Sequence, residues 1–528
     1  MWTTTSGLRG KKLHIAITFT SVVGFSLFGY DQGLMSGIIS GDQFTKEFTP
    51  LAGDSEHVAV LRGAVTSCYE LGCFFGAIFT MMYGQRIGRT PLLVAGGLLM
   101  ILGTVISTAA FGPHWGLGQF VLGRVISGLG NGMDTATIPV WQSECSRAHN
   151  RGFLVCFEGA IIAVGTFIAY WLDFGLSYVN TSVQWRFPVA FQILFAILVT
   201  VGALMLPESP RWFVMQGHDQ EALQVLAQLN DSSVDADDVL ADFNLMKADL
   251  KAMESIEAGS SWGILFTGGK SQNFQRMMIG CSGQFFQQFT GCNAAIYYST
   301  LLFQQNLHME GGVFATVYAL ATIPSFFMIE RVGRRNLFLI GFLGQGLSFI
   351  ITMGCLIDSN AQNAKGAIVG IFLFICFFAF TTLPLPWIYP PEINPLRTRT
   401  KAASASTCVN WITNFAVVMF TPVFSNQSDW GIYLFFALVN FIAIPFAWFF
   451  YCETAGRDLE EVDIIFAKAH VEGKWPYQIA QQMPKLSIAE ITQMQNDLGL
   501  DSSEHQVISE AEKAETAMSS SSETKQDL

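Results

Sequence analysis

Five ionisable residues sit inside stretches otherwise apolar enough for hydrocarbon: Asp31, Glu70, Arg124, Asp134 and Glu158. Burying a charge there is expensive, so each is a functional candidate by default. Asp31 follows Gly29 and Tyr30 in a glycine-rich run. Asp134 follows Gly128, Gly130 and Gly132, small residues that let one helix approach another closely. It reads as a polar cavity wall, with a second protonatable site as the alternative. Glu70 reads first as a helix-packing residue. Glu158, seven residues after Arg151, reads either as an interior hydrogen-bonding acid or as a coupling group. A second set of residues carries amide chemistry. Gln287, Gln288 and Asn293 span about a turn and a half of one helix. Each amide offers donors and an acceptor to a hydroxyl. A few such groups in an apolar cavity, with an aromatic face for C–H groups, suit a small hydroxylated molecule.

Such groups need a scaffold that holds them in hydrocarbon, and the composition provides one. Of 528 residues, 51% are hydrophobic and 13% charged, where a soluble chain carries about 25% charged. With a mean hydropathy of +0.39, the chain reads as an integral, multi-pass membrane protein whose partner is the lipid bilayer. Stretches near the ~20 residues needed to cross a bilayer lie at 15–37, 58–82, 91–111, 117–140, 153–175 and 187–206. Six more lie at 276–303, 311–329, 336–357, 366–390, 402–424 and 429–451. The chain is therefore expected to be all-α, with twelve transmembrane helices in two six-helix halves, 1–206 and 276–452. A polar loop, 207–275, separates them and a polar tail, 453–528, follows. Arg9, Lys11 and Lys12 before the first stretch resemble a signal peptide, but the run is long and lacks a small-residue cleavage site, so a retained helix is expected.

Twelve crossings put both termini on one side. Of the 29 basic residues, 24 fall on that side, only Lys46, Arg62, Arg186 and Lys365 on the other, and Arg124 lies within a span, which makes both termini cytosolic. Two sequons, at Asn180 and Asn426, then fall in external loops as candidate glycosylation sites. The formal charge of −12 gathers largely in the loop and tail. With no basic face or aromatic RNA motif, nucleic-acid binding is a poor reading. The ten Cys form no paired or His-containing cluster, so neither a metal site nor a disulfide framework is indicated. No nucleophile motif or phosphate loop appears either, and an enzyme is disfavoured.

The chain repeats itself. Arg86-Ile-Gly-Arg89 recurs 245 residues later as Arg331-Val-Gly-Arg334. Glu144 and Arg151 recur 248 residues later as Glu392 and Arg399, and Pro207-Glu208-Ser209 recurs 245 residues later as Cys452-Glu453-Thr454. All lie at cytosolic helix ends. Parallel six-helix repeats with a site between them at the bilayer midplane describe one large transporter architecture.

From 15 to 470 the chain resembles the sugar porter family of the major facilitator superfamily. The motifs are RIGRT (86–90), PVWQSE (139–144), PESPRW (207–212), QQFTGCN (287–293), ERVGRR (330–335), PWIYPPE (386–392) and ETAGRDLEE (453–461). Within that family, FSLFGYDQGLMSG (25–37), AYWLDFGLSY (169–178) and QFFQQFTGCNAAIYYST (284–300) look most like the fungal glycerol–proton symporter branch. The resemblance implies the major facilitator fold and assigns roles. Asp31 takes the proton-coupling carboxylate position and Arg124 that of its basic partner. A carboxylate whose partner comes and goes with the transport cycle loads and releases a proton. Gln287, Gln288, Asn293, Trp387 and Asn414 take sugar-contact positions. Typical hexose and xylose porters place Gln where this chain has Gly159 and Thr166, so two amides that would grasp a pyranose are missing.

Arg86, Arg89, Glu144 and Arg151, with Arg331, Arg334, Glu392 and Arg399, are expected to form gating ion pairs between helices. The family's acid and base are replaced by Gln85 and Thr90, which weakens the N-terminal set. The expected function is proton-coupled import of a small polyol or sugar, glycerol favoured, across the plasma membrane, with the proton gradient as driving force and no cofactor. A hexose, pentose or oligosaccharide transporter, by symport or uniport, is the alternative. A non-transporting nutrient receptor on the same fold is the alternative of another class. Loop 207–275 is expected to form small cytosolic helices. Beyond about 490 the Ser- and Glu-rich tail is too polar for a core and is expected to be disordered, and it offers kinases or the ubiquitin machinery a target.

Overall fold

A computed structural model describes residues 7–39, 41–53, 55–145, 151–257, 262–302, 307–358, 361–457, 459–486 and 488–498. The N-terminal half comprises α1 (Gly10–Ile39), α2 (Glu56–Ile87), α3 (Arg89–Thr108), α4 (Trp115–Glu144), α5 (Arg151–Leu176) and α6 (Val183–Met205). The loop folds as α7 (Pro210–Met215), α8 (Asp219–Asn230) and α9 (Asp237–Glu257). Phe213, Val225, Leu226 and Phe243 seat it on the N-terminal core.

In the C-terminal half three of the six spans are interrupted. The seventh is α10 (Asn273–Phe289) and α11 (Cys292–Leu302), broken at Gly291, whose φ of 96° lies in the left-handed region. The eighth is α12 (Leu307–Ala321) and α13 (Ser325–Arg331), and the ninth is the continuous α14 (Arg334–Ile357). The tenth runs as α15 (Ala361–Phe377), a π turn (Phe378–Thr382) and α16 (Leu385–Ile393). The last two are α17 (Leu396–Gln427) and α18 (Gly431–Phe450).

Among the described residues nine helices are long and apolar enough to cross a membrane, and a pair bent by 40° in the eighth span makes a tenth. The expected fourth and seventh spans fall short of that measure. The fourth carries Arg124, Asn131 and Asp134, and the seventh is cut at Gly291 and lined with amides. Both depart from hydrocarbon composition because they build a polar interior. Along the seam between the halves, α2 packs on α17, α5 on α12, and α1 on α11. The first two contacts exchange under the 245-residue repeat.

Glycine sets how close α1 and α5 lie. A Cβ on Gly29 would fall on the Ile162 carbonyl, and one on Gly165 on the Ser26 carbonyl, so the two backbones touch. Gly29→Ala is therefore expected to push α1 from α5 and lower the melting temperature of the detergent-purified protein by several degrees. An unchanged melt and elution profile would contradict this packing.

The first part of the tail folds onto the C-terminal half. Helices α19 (Leu459–Glu472), α20 (Pro476–Gln482) and α21 (Ile488–Leu498) bury Val462, Ile465, Phe466, Ile479 and Ile491 in the C-terminal core. Their amphipathic spacing lets a polar-looking segment supply core residues. Order thus extends past 490, and the regulatory targets expected beyond it lie mainly outside the described residues.

Candidate functional site

Asp31 and Arg124 meet in the N-terminal half and are 0% and 1% exposed. Arg124 donates through Nη1 to Asp31 Oδ1 and through Nη2 to Oδ2, the latter at 3.1 Å. This two-pronged contact joins α1 to α4 with charge-assisted bonds. The guanidinium also lies 4.4 Å from the Tyr69 ring centroid on α2, a cation–π contact, and the Gln192 amide of α6 is a further partner of the Asp31 carboxyl. Four helices of one half converge on this pair.

A cavity opens at the seam beside it, lined by residues of both halves. Gln287, Gln288, Asn293, Trp387 and Asn414 all line it, so the five sequence-derived contacts are brought together. Asn410, Tyr318 and Gln32 line it too and were missed. Asn410 lies one helical turn before Asn414, a spacing that was available as a signal.

The amides form a chain. Gln288 Nε2 donates to Asn410 Oδ1, and Asn293 Nδ2 donates to both Gln288 Oε1 and Asn414 Oδ1, each at 2.6 Å. Gln287 Nε2 instead donates to the Thr382 and Leu383 carbonyls at 2.9 and 3.0 Å, at the π turn. It therefore braces the broken tenth span as well as lining the cavity. The break is what carries Trp387 into the lining.

The remaining intramembrane acids separate by location. Glu70 is fully buried and accepts a hydrogen bond from Tyr297 Oη on α11, with the Asn414 amide as a further partner. It therefore joins the two halves, so the helix packing expected of Glu70 is packing across the seam. Asp134 packs against Gly96 on α3, away from the cavity lining, a helix-packing place instead of the expected cavity wall. Glu158 is half-buried and is not part of the lining. On the outward side, further bonds cross the seam. Tyr170 Oη donates to the Ile296 carbonyl, and Trp171 Nε1 donates to Thr316 Oγ1 at 3.0 Å. The halves are closed against each other there.

The cytosolic charges form two equivalent clusters, each within one half. Arg89 holds Glu144 by two bonds of 2.9 Å. Arg334 holds Glu392 at 2.9 and 3.2 Å and adds Glu330 at 2.8 Å. Glu330 corresponds to Gln85, which explains the poorer N-terminal set. Arg86 and Arg331 are exposed and stand outside these pairs, while Arg399 Nε reaches the Asn394 carbonyl at 3.4 Å. The Arg151 side chain lies outside the described residues. These pairs staple helices inside a half and thereby stiffen it; as placed, they do not bolt one half to the other.

The repeated acids Glu208 and Glu453 do something that the repeat alone did not reveal. Glu208 accepts from the Thr90 backbone N–H and hydroxyl, both at 3.0 Å, and from Ser209 N–H at 2.8 Å. Glu453 accepts from the Arg334, Arg335, Thr454 and Ala455 N–H groups at 2.7–3.2 Å. Each acid caps the N-terminus of its half's third helix from a distant segment, where orphan N–H groups favour an anion. Burial pushes the Glu208 carboxyl up from its ordinary range while these donors pull it down. The sequon residues Asn180 and Asn426 are both exposed at the outward ends of their segments.

The family described as "Sugar (and other) transporter" matches residues 16–466. The chain is 65% identical to the major facilitator superfamily transporter mfsA of Aspergillus fumigatus, over 99% of this chain and 98% of that one. It is 54% identical to the sugar transporter STL1 of Saccharomyces cerevisiae, over 93% and 88% of the two chains. The inward-open structure of the xylose transporter XylE from E. coli superposes with a TM-score of 0.72 at 22% identity, covering 85% of this chain and 99% of that one.

Proposed function

Because the chain belongs to the sugar transporter family of the major facilitator superfamily, we propose that it imports a small polyol, glycerol before hexose or pentose, across the plasma membrane by proton symport. The observation that carries this reading is the buried Asp31–Arg124 pair standing on α1 beside an amide-lined cavity at the seam. A carboxylate–guanidinium pair that parts and re-forms through the transport cycle, as α1 and α4 shift within their half, takes up a proton on one side and releases it on the other. The stiffened halves supply the rocking bodies. One charge moving inward at ~100 mV yields ~2.3 kcal/mol, and each pH unit adds ~1.4 kcal/mol. Since ~1.4 kcal/mol is tenfold, the two together drive accumulation on the order of several hundredfold.

The absent α5 amides support a short substrate. Purified protein in liposomes with an imposed inside-alkaline gradient should accumulate labelled glycerol, and unlabelled glycerol should compete better than xylose, glucose or a disaccharide. Collapse of the gradient should leave only equilibration. Accumulation that survives collapse, or glycerol that neither accumulates nor competes, refutes the reading. Gln288→Ala should raise the apparent KM roughly three- to tenfold, since a lost hydrogen bond costs about 0.5–1.5 kcal/mol. An unchanged KM would remove Gln288 from the contact set.

A further inference from the structure

Among the described residues the N-terminal half brings three side chains to the cavity lining, Phe28, Gln32 and Ile162, and of these only Gln32 is polar. The positions where ring-sugar porters carry amides offer nothing in exchange. Thr166 Oγ1 is committed to the Gly29 carbonyl at 2.9 Å and lies outside the lining. Gly159 has no side chain, and a Cβ there would already stand 3.7 Å from Leu383, a lining residue. The amides opposite are bonded to one another or to the π-turn carbonyls. Gln32 differs from all of them. It is 7% exposed and lines the cavity, and its side chain makes no hydrogen bond with another described residue.

An unspent amide in a buried, polar-lined cavity is a waiting donor and acceptor. We propose that Gln32 is the substrate-binding amide of the N-terminal half, replacing from α1 the contacts that α5 lacks, and that it sets the preference for a short polyol. This assignment rests on the transport reading above. A ligand gripped by both halves must take its N-terminal hydrogen bond at Gln32 and its others from the Gln288–Asn293–Asn410–Asn414 chain. Vicinal hydroxyls suit such a bridge, because one hydroxyl can donate to Oε1 while its neighbour accepts from Nε2. Gln32 also directly follows Asp31 on the same helix. Substrate held at Gln32 is thus fastened to the element whose Asp31 meets Arg124, so cargo and proton site move as one body.

The test uses full-length protein in liposomes with labelled glycerol, xylose and glucose in parallel. Gln32→Ala should raise KM about 10- to 100-fold for the substrate accumulated, the loss of roughly two hydrogen bonds. Vmax should stay within about twofold, and accumulation at saturating substrate should keep its pH dependence. Gln32→Asn, one methylene shorter, should fall between the two and guards against misfolding of the alanine variant, as does elution of the purified protein. Adding Gly159→Gln to Gln32→Ala should shift preference from glycerol toward xylose or glucose. If the wild type accumulates any of the three and KM is unchanged in both Gln32 variants, the assignment is overturned and the transport reading stands. Equal losses in Vmax and KM would mark a packing residue and also overturn it. If the wild type accumulates none of the three, the transport reading falls and Gln32 falls with it.

Discussion

Asp31→Asn protein is expected to reach the membrane at the parent's level, to exchange labelled for unlabelled substrate, and to accumulate none against a gradient at any external pH. The amide has nearly the shape of the protonated carboxyl and still accepts from Arg124, but it cannot exchange a proton. Exchange within the loaded state needs no net proton movement, so it survives; concentrative uptake, worth several hundredfold by the estimate above, is lost. Concentrative uptake by Asp31→Asn would remove Asp31 from the coupling role. Arg124→Ala is a harsher change, since it strands a fully buried carboxylate, and breaking such a pair costs about 3–5 kcal/mol. Combining it with Asp31→Asn should restore folded protein, and thermal melting of the three variants measures that cycle.

Glu208→Ala is expected to have the second-largest effect, on stability. It removes the acceptor for the Thr90 N–H and hydroxyl and the Ser209 N–H in a site where Glu208 is 1% exposed. Each buried donor left without an acceptor costs about 1–3 kcal/mol. Glu453 is only half-buried, so water replaces part of what Glu453→Ala removes, and its loss should be smaller although it caps more N–H groups. Detergent melting curves should rank the variants Glu208→Ala below Glu453→Ala below the parent. Equal melts would mean that the caps contribute little.

Hydropathy placed the spans because a bilayer-crossing helix must be apolar over its whole length, and the basic-residue asymmetry oriented them. Asp31, Arg124 and the amide cluster were legible for the converse reason, as polar residues where polarity is costly. Gln32 was overshadowed by its neighbour: a single amide after a carboxylate carries no periodic signal, and its freedom is visible only once the other amides are seen to be bonded. The caps made by Glu208 and Glu453 depend on contacts 118 and 119 residues away in the chain. The repeat marked these acids without saying what they hold. Asp134 was misplaced because a glycine-rich helix has two close-packed faces, and spacing alone does not say which one meets the cavity.

The proton-linked pair is built wholly from α1 and α4, with help from α2 and α6, whereas all but one of the cavity amides come from α10, α11 and α17. On the proposed reading, fuel falls to the first copy of the duplicated six-helix unit and most of the cargo contacts to the second, the two joined by a cytosolic loop that packs mainly on the first copy. A recombination event in that loop exchanges nearly the whole cargo specification while leaving the fuel untouched. On that reading, lineages of this architecture can diversify their diet by shuffling second halves, with Phe28, Gln32 and Ile162 as the first-half lining positions to be retuned to match.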